Sequence, residues 1–368
     1  MPVRLFLNVM LWACLSACGG SGDSDSTVNS TPVIDVNWQP AAASDWPIST
    51  AAAEAMDGAA LQQAFNRAAG LSPMHALLVV RNGKLIGEAY YHDQQRDSLQ
   101  HLRSVTKTIT MLMIGKAIEL GAISSVHQPI AEFTTEDYSA LLSDKADITI
   151  AHLLDMSSGI EWDESTAQGY NDWVSASDPV EYVLQRPLVS APSSQFNYNS
   201  GTSHLLSYIL TKATGLSLAE FTKLHLFTPL GINEFNWETL DNGLSNGAAG
   251  LTLRARDLAK IGVLLQQQGR WQSQQVIAAS WVLQAAAVSQ PLNQPLGGLE
   301  LHGYGQQWWL GSTSAGDFQL GWGFGGQFVL TMPEQNLTIV LLQNFQAGVP
   351  GQTNAAMQLI RQHILPAL

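Results

Sequence analysis

The chain is short of cysteine, of charge and above all of cations, and each shortage excludes a class of function. Its two cysteines, Cys14 and Cys18, both precede Gly19. Everything after them therefore lacks a disulfide, a thiolate zinc site and a cysteine nucleophile. Charged residues make up 13% of the chain, and 17 Lys plus Arg face 30 Asp plus Glu, a formal net charge of −13. No basic block occurs, which argues against nucleic-acid binding, since phosphate contacts need clustered Lys and Arg. No Gly-x-Ser-x-Gly elbow is present. Gly215-Leu216-Ser217-Leu218-Ala219 comes nearest and reads as an inter-helix turn. No His-Glu-x-x-His or comparable metal spacing appears either, so neither metal nor cofactor is implied. What is abundant is apolar: a hydrophobic content of 46% describes a well-packed globular chain rather than a disordered one.

The N-terminus carries its own signal. MPVRLFLNVMLWACLSACGG combines one early cation, Arg4, with an apolar run and then small residues, as a secretory signal does, and is too short for a convincing membrane span. Leu15-Ser16-Ala17-Cys18 resembles a bacterial lipobox, which implies cleavage before Cys18 and a lipid on its thiol. Ordinary cleavage nearby and a plain thiol are the alternatives. The flexible stretch from Gly19 to Ser26 favours the lipid, because it is a tether with nothing to pack. Gly19 offers no aspartate-type retention signal, so the expected place is the cell envelope, at the outer membrane facing the periplasm. The expected organisation is a signal peptide over residues 1–17, a tether over 18–45 and one large domain over 46–368.

Within that domain, Ala51 to Ala69 has helical composition. His75 to Val80 and Lys84 to Tyr91 read as strands joined by a hairpin at Asn82-Gly83. Ser104 to Leu120 is apolar over much of its circumference and stops at Gly121, as a buried central helix does. Residues from about 122 to 245 read as helices and loops, including a helix near Ile148–Leu154 and another over His204–Ala213. Leu251–Gln268 reads as a helix stopped by Gly269. Strands are expected at Tyr304–Leu310, Phe318–Gly321, Gly326–Met332 and Leu337–Asn344, before a helix over Asn354–Ile364. The expected class is α+β: an antiparallel sheet assembled from both ends of the domain, flanked by helices, with a mostly helical lobe beside it.

Chemistry concentrates at Ser104-Val105-Thr106-Lys107. Residues i and i+3 share a helix face, so the Lys107 ammonium reaches the Ser104 hydroxyl. The helix N-terminus favours negative charge developing at the serine. An amine in apolar surroundings has its pKa pushed down, so it can take the serine proton near neutral pH. Of the seven lysines, only Lys107 has a serine three positions earlier. A surface lysine on an ordinary helix is the plain alternative.

Three further segments accompany it in order: Ile150-Ala151-His152-Leu153-Leu154-Asp155-Met156-Ser157-Ser158-Gly159, Phe196-Asn197-Tyr198-Asn199-Ser200-Gly201 and Gly321-Trp322-Gly323-Phe324-Gly325-Gly326-Gln327. With the Ser-x-x-Lys they resemble the serine β-lactamase and penicillin-binding-protein superfamily, nearest its class C-like carboxylesterases and 6-aminohexanoate-dimer hydrolases, from about Trp46 to the C-terminus. The resemblance implies a β-lactamase/transpeptidase-like fold and a serine hydrolase acting on a small ester or amide through an acyl-enzyme. Ser104 would be the nucleophile, with Lys107 and Tyr198 moving protons and the Tyr198 phenolate stabilised by Lys107. The amides of Ser104 and Phe324 would form the oxyanion hole. Trp322 and Gly323 would contact substrate, with Tyr170 as a loop residue over the cleft. The family's Tyr-x-Asn appears here as Tyr198-Asn199-Ser200, which leaves open whether Asn199 or Ser200 faces substrate. Gly321 stands where the family has a carboxylate-receiving cation, which favours esters or amides without that carboxylate. His152 reads as structural. Hydrolysis of amide oligomers, D-peptides or β-lactams is the alternative activity, and a non-catalytic sensor lipoprotein on the same fold is the alternative of another class.

Overall fold

The computed structural model describes residues 35–134 and 136–368. Cys18, the signal and most of the tether lie outside the described residues. The hairpin expected at Asn82-Gly83 forms, with both residues in the left-handed region (φ 52° and 74°), as a two-residue type I′ turn requires. It joins β1 (Met74–Arg81) to β2 (Lys84–Tyr90). Six more strands follow late in the chain: β3 (Gln290–Leu296), β4 (Leu299–Tyr304), β5 (Trp309–Thr313), β6 (Gly316–Gly323), β7 (Gln327–Met332) and β8 (Leu337–Gln343). All eight form one sheet in the order β2-β1-β8-β7-β6-β5-β4-β3, each pair antiparallel. The N-terminal hairpin thus closes onto the last strand, and the sheet is built from both ends of the domain.

The central strands are buried on both faces, which is why they read as unbroken apolar runs. Side chains alternate between two cores. Ala76, Leu78 and Val80 of β1 join Val340 and Leu342 of β8 in one, while Leu77, Val79, Ile339 and Leu341 enter the other. The second core is covered by α1 (Gly58–Ala69), through Leu61 and Phe65, and by the C-terminal helix through Met357 and Ile360. The first is larger. It holds α2 (Thr106–Glu119) and the helical region, in which α3 (Ile150–Leu154), α4 (Ala167–Val174), α5 (Pro179–Leu184) and α6 (Ser200–Thr214) lead to α7 (Ala255–Gln266) on the sheet. The α+β class and the helical middle are as expected.

Three element assignments need correction. Leu251–Leu253 is a strand and the helix begins at Ala255. Leu251 and Leu253 point inward while Thr252 does not, a period of two, and the segment pairs with Gln100–His101 and Phe235–Trp237. Tyr304–Leu310 is not one strand: β4 ends at Tyr304, and a tight loop closed by Gly305 N donating to Trp308 O (3.0 Å) precedes β5. The β3–β4 hairpin is hidden in sequence because Gln290-Pro291-Leu292-Asn293-Gln294-Pro295 has no apolar alternation. Proline is tolerated there since β3 is the sheet edge.

One buried ion pair ties the layers together. Arg256 of α7 is 1% exposed and grips Glu88 of β2 through both Nε (2.8 Å) and Nη2 (2.5 Å). Its remaining donors reach Asp45 Oδ1 and the Ala41 carbonyl, both at 2.9 Å. Removing one partner of such a pair leaves a buried charge unpaired, at a cost of about 3–5 kcal/mol. Arg256→Met is therefore expected to lower stability by about that amount in urea denaturation. A change below about 1 kcal/mol would show the pair to be dispensable.

Candidate active site

The chain enters α2 through a constrained turn. Gln100–His101 is pinned to Leu251–Leu253, and Leu102 N donates to Leu251 O at 2.9 Å. Arg103 then adopts φ 50°, a left-handed conformation that costs an ordinary residue about 1–3 kcal/mol and persists only where its surroundings enforce it. A 3₁₀ turn over Arg103–Val105 follows, so half-buried Ser104 sits at the mouth of the helix and Lys107 one turn inside.

Lys107 is 1% exposed, and its amine has three oxygen neighbours. Nζ donates to Ser104 Oγ (3.1 Å), Ser200 Oγ (3.0 Å) and the Ala248 carbonyl (3.0 Å). As an ammonium it uses all three protons. As a neutral amine it can keep the bonds to Ser200 and Ala248 and accept from Ser104. Burial lowers its pKa from 10.5 to about 7; Glu164 pulls it back up and Arg103 pushes it down. Both protonation states are thus accessible near neutrality without rearranging a heavy atom.

Both residues of the altered motif are buried, Asn199 as a helix cap and Ser200, 1% exposed, against the Lys107 amine. Asn199 is 2% exposed and its Oδ1 accepts from Thr202 N (2.9 Å), capping α6, so its expected place facing substrate is corrected by the helix N-terminus it serves. Ser200 stands between Lys107 and Glu164. Its Oγ accepts from Lys107 and donates to Glu164 Oε2 (3.0 Å), while Glu164 Oε1 accepts from Ser200 N (2.9 Å) and Trp162 Nε1 (2.7 Å). Sequence reasoning missed Glu164 because Trp162-Asp163-Glu164-Ser165 reads as a solvated acidic run, 36 residues away from the serine it contacts.

Tyr198 also lies near Ser104, and its ring is 5.0 Å from Lys107 Nζ. The expected phenolate is corrected. Burial and the Glu164 carboxylate push the Tyr198 pKa upward, outweighing the help from Ser104 and Arg103, so the group is a neutral phenol. Its ring stacks on Trp309 (5.9 Å, 19°), which meets Trp322 at 5.3 Å, forming an aromatic wall beside the serine. Trp309 was not anticipated, since its segment read as plain strand.

Strand β6 forms the next side. A Cβ on Gly323 would lie 2.4 Å from the Leu102 carbonyl, so only glycine lets the strand abut the turn that carries Ser104. A side chain at Gly321 would strike Val329 (2.7 Å), with Thr108 and Val105 beyond, so the position where a cation was missed has no room for one. Phe324, whose amide follows Gly323, has a side chain 63% exposed. Tyr170 lies on helix α4 rather than in a loop, a correction, yet it belongs to this neighbourhood: the Arg103 guanidinium sits 5.1 Å from its ring centroid. His152 is apart, its Nδ1 accepting from Thr149 N (3.1 Å) at the start of α3, a structural position. Among the described residues, no cluster of His, Cys, Asp and Glu could hold a metal ion.

A base must be deprotonated to act, so labelling of Ser104 by a fluorophosphonate is expected to accelerate as pH rises through about 7. In Glu164→Gln the carboxylate that favours the Lys107 ammonium is gone, and the limb is expected to move to lower pH. A limb unmoved or moved upward in the rate–pH profile contradicts the influence of Glu164 on Lys107.

Comparison with known proteins gives a family and several folds. The family model described as Beta-lactamase matches residues 59–362. The 6-aminohexanoate-dimer hydrolase of Paenarthrobacter ureafaciens is 24% identical over 290 residues, covering 73% of this chain and 72% of that one. Among solved structures, the octameric penicillin-binding protein homologue from Pyrococcus abyssi superposes with a TM-score of 0.64 at 18% identity, over 84% of this chain and 77% of that one. A D-stereospecific amidohydrolase from Streptomyces sp. does so with a TM-score of 0.64 at 16% identity, over 85% and 100%.

Proposed function

The chain belongs to the Beta-lactamase family, and from that membership and the geometry around Ser104 we propose a serine hydrolase that cleaves ester or amide bonds through an acyl-enzyme. The observation that carries the reading is the 3.1 Å contact between Ser104 Oγ and the buried amine of Lys107. Ser104 Oγ bonds to the substrate carbonyl carbon while its proton passes to Lys107 Nζ. The carbonyl oxygen takes the negative charge and is held by the amides of Ser104 and Phe324. The tetrahedral intermediate collapses, the bond to the leaving group breaks, and the neutral Tyr198 hydroxyl gives that group a proton, which the Lys107 ammonium replaces. Water then attacks the ester on Ser104, giving up its proton to the same groups, and the acid and Ser104 are released. Ser200 and Glu164 hold Lys107 in register.

Substrate class follows from the walls. The blocked position at Gly321 and the indole of Trp322 suit an apolar group and leave β6 without a cation for a carboxylate. Esters are the primary reading. Amides are the second, favoured by the relatives named as an aminohexanoate-dimer hydrolase and an amidohydrolase. The purified domain is expected to turn over short-chain p-nitrophenyl esters well and a chromogenic cephalosporin weakly. Intact-protein mass spectrometry should show an acyl adduct that Ser104→Ala lacks. Efficient cephalosporin hydrolysis without esterase activity overturns the substrate class, and an adduct on Ser104→Ala overturns the nucleophile.

We also propose that Cys18 carries lipid and holds the enzyme at the outer membrane, on the strength of Leu15-Ser16-Ala17-Cys18 and the glycine–serine tether after it. Metabolic labelling with a palmitate analogue should mark the wild type and not Cys18→Ser; equal labelling of the two removes the anchor.

A further inference from the structure

Arg103 is a second cation at the mouth of this site, and among the described residues no anion pairs with it. Among the described residues its guanidinium makes no hydrogen bond and no ion pair, and its Nε is buried without an acceptor. That is unusual in a chain of net charge −13. The group is nevertheless held in place. Its Cζ lies 5.1 Å from the Tyr170 ring centroid and 4.9 Å from that of Phe345, and Phe345 is backed by the His101 ring at 5.0 Å. Contact between a guanidinium and aromatic rings leaves its N–H donors for an acceptor, in a fork that matches a carboxylate. The strained backbone at Arg103 fixes its root directly before the nucleophile. His101 does not compete for an anion, because burial and Arg103 itself lower its pKa to about 4, and its neutral Nδ1 accepts from Arg103 N (3.1 Å).

The site therefore has two unlike walls. Trp322, Trp309 and Tyr198 form an aromatic one, whereas Arg103, Tyr170 and Phe345 form a cationic one. Because β6 has no room for a cation at Gly321, the positive charge of the site's rim comes from the residue before the serine instead. We propose that Arg103 is an anion-binding subsite that selects esters or amides whose acyl chain ends in a carboxylate, the leaving group resting against the tryptophans. This rests on the serine-hydrolase reading and adds a substrate class to it.

The test compares mono-p-nitrophenyl glutarate with p-nitrophenyl pentanoate, which share a leaving group and an acyl length and differ in the terminal charge. The wild type is expected to favour the glutarate ester by about tenfold or more in kcat/KM at low salt, the preference shrinking as salt is added. In Arg103→Gln the ratio of the two values is expected to collapse toward unity, and Arg103→Lys should restore part of it. A wild type without the preference, or a preference that survives in Arg103→Gln, overturns the subsite. Should Arg103→Gln not fold, free glutarate decides: it should bind the wild type about tenfold or more tighter than 1-pentanol by calorimetry, and equal affinities overturn the proposal. If neither ester is hydrolysed, the hydrolase reading fails on its own, while glutarate binding still reports on Arg103.

Discussion

The structure depends on one buried amine. Lys107 is buried one turn into a helix whose other inward residues are apolar apart from three threonines, where a lasting positive charge is expensive. Three oxygens make the position tolerable, and burial brings its pKa down to about 7. The same circumstance that makes Lys107 costly to fold makes it useful, since an amine that holds its proton loosely at neutrality can take one from Ser104. Tyr198 responds oppositely to the same surroundings, because burial of a phenol favours its neutral form. Two groups beside one serine are thereby pushed toward neutrality, one as acceptor and one as donor.

Each supporting element can be traced to that requirement. Helix α6 delivers Ser200, and Asn199 caps the helix and fixes its start. The segment after Leu240 turns back so that the Ala248 carbonyl points at the amine. The sheet supplies β6, whose glycines allow it to press against the turn before Ser104, and Arg256 locks α7 to the hairpin strand β2 at the far side of the sheet. Glu164 and Arg103 act on Lys107 from opposite directions, so its working pH reflects a balance between a carboxylate reached through Ser200 and a guanidinium held by aromatic rings.

Much of this could be read from the sequence because it is local. The i to i+3 spacing of Ser104 and Lys107, the Asn-Gly hairpin and the apolar runs of the central strands each carry their structure in a few residues. What escaped was non-local or lacked pattern. Glu164 meets Ser200 across 36 residues, and nothing in an exposed-looking acidic segment marks it. The β3–β4 hairpin is an edge, proline-bearing and polar, so its alternation is missing from the sequence although present in space. Tyr170 sits in a helix of eight residues, too short for periodicity to separate from a loop. Asn199 and Ser200 are adjacent, and only the start of α6 decides which caps and which faces the amine.

The most direct measurement is the titration of Lys107 itself. With lysine labelled at the ε-carbon, the resonance assigned by its loss in Lys107→Ala should titrate near pH 7, and Glu164→Gln should move it lower. A Lys107 resonance that stays protonated beyond pH 10 contradicts the account, because the amine beside Ser104 could not then serve as its base.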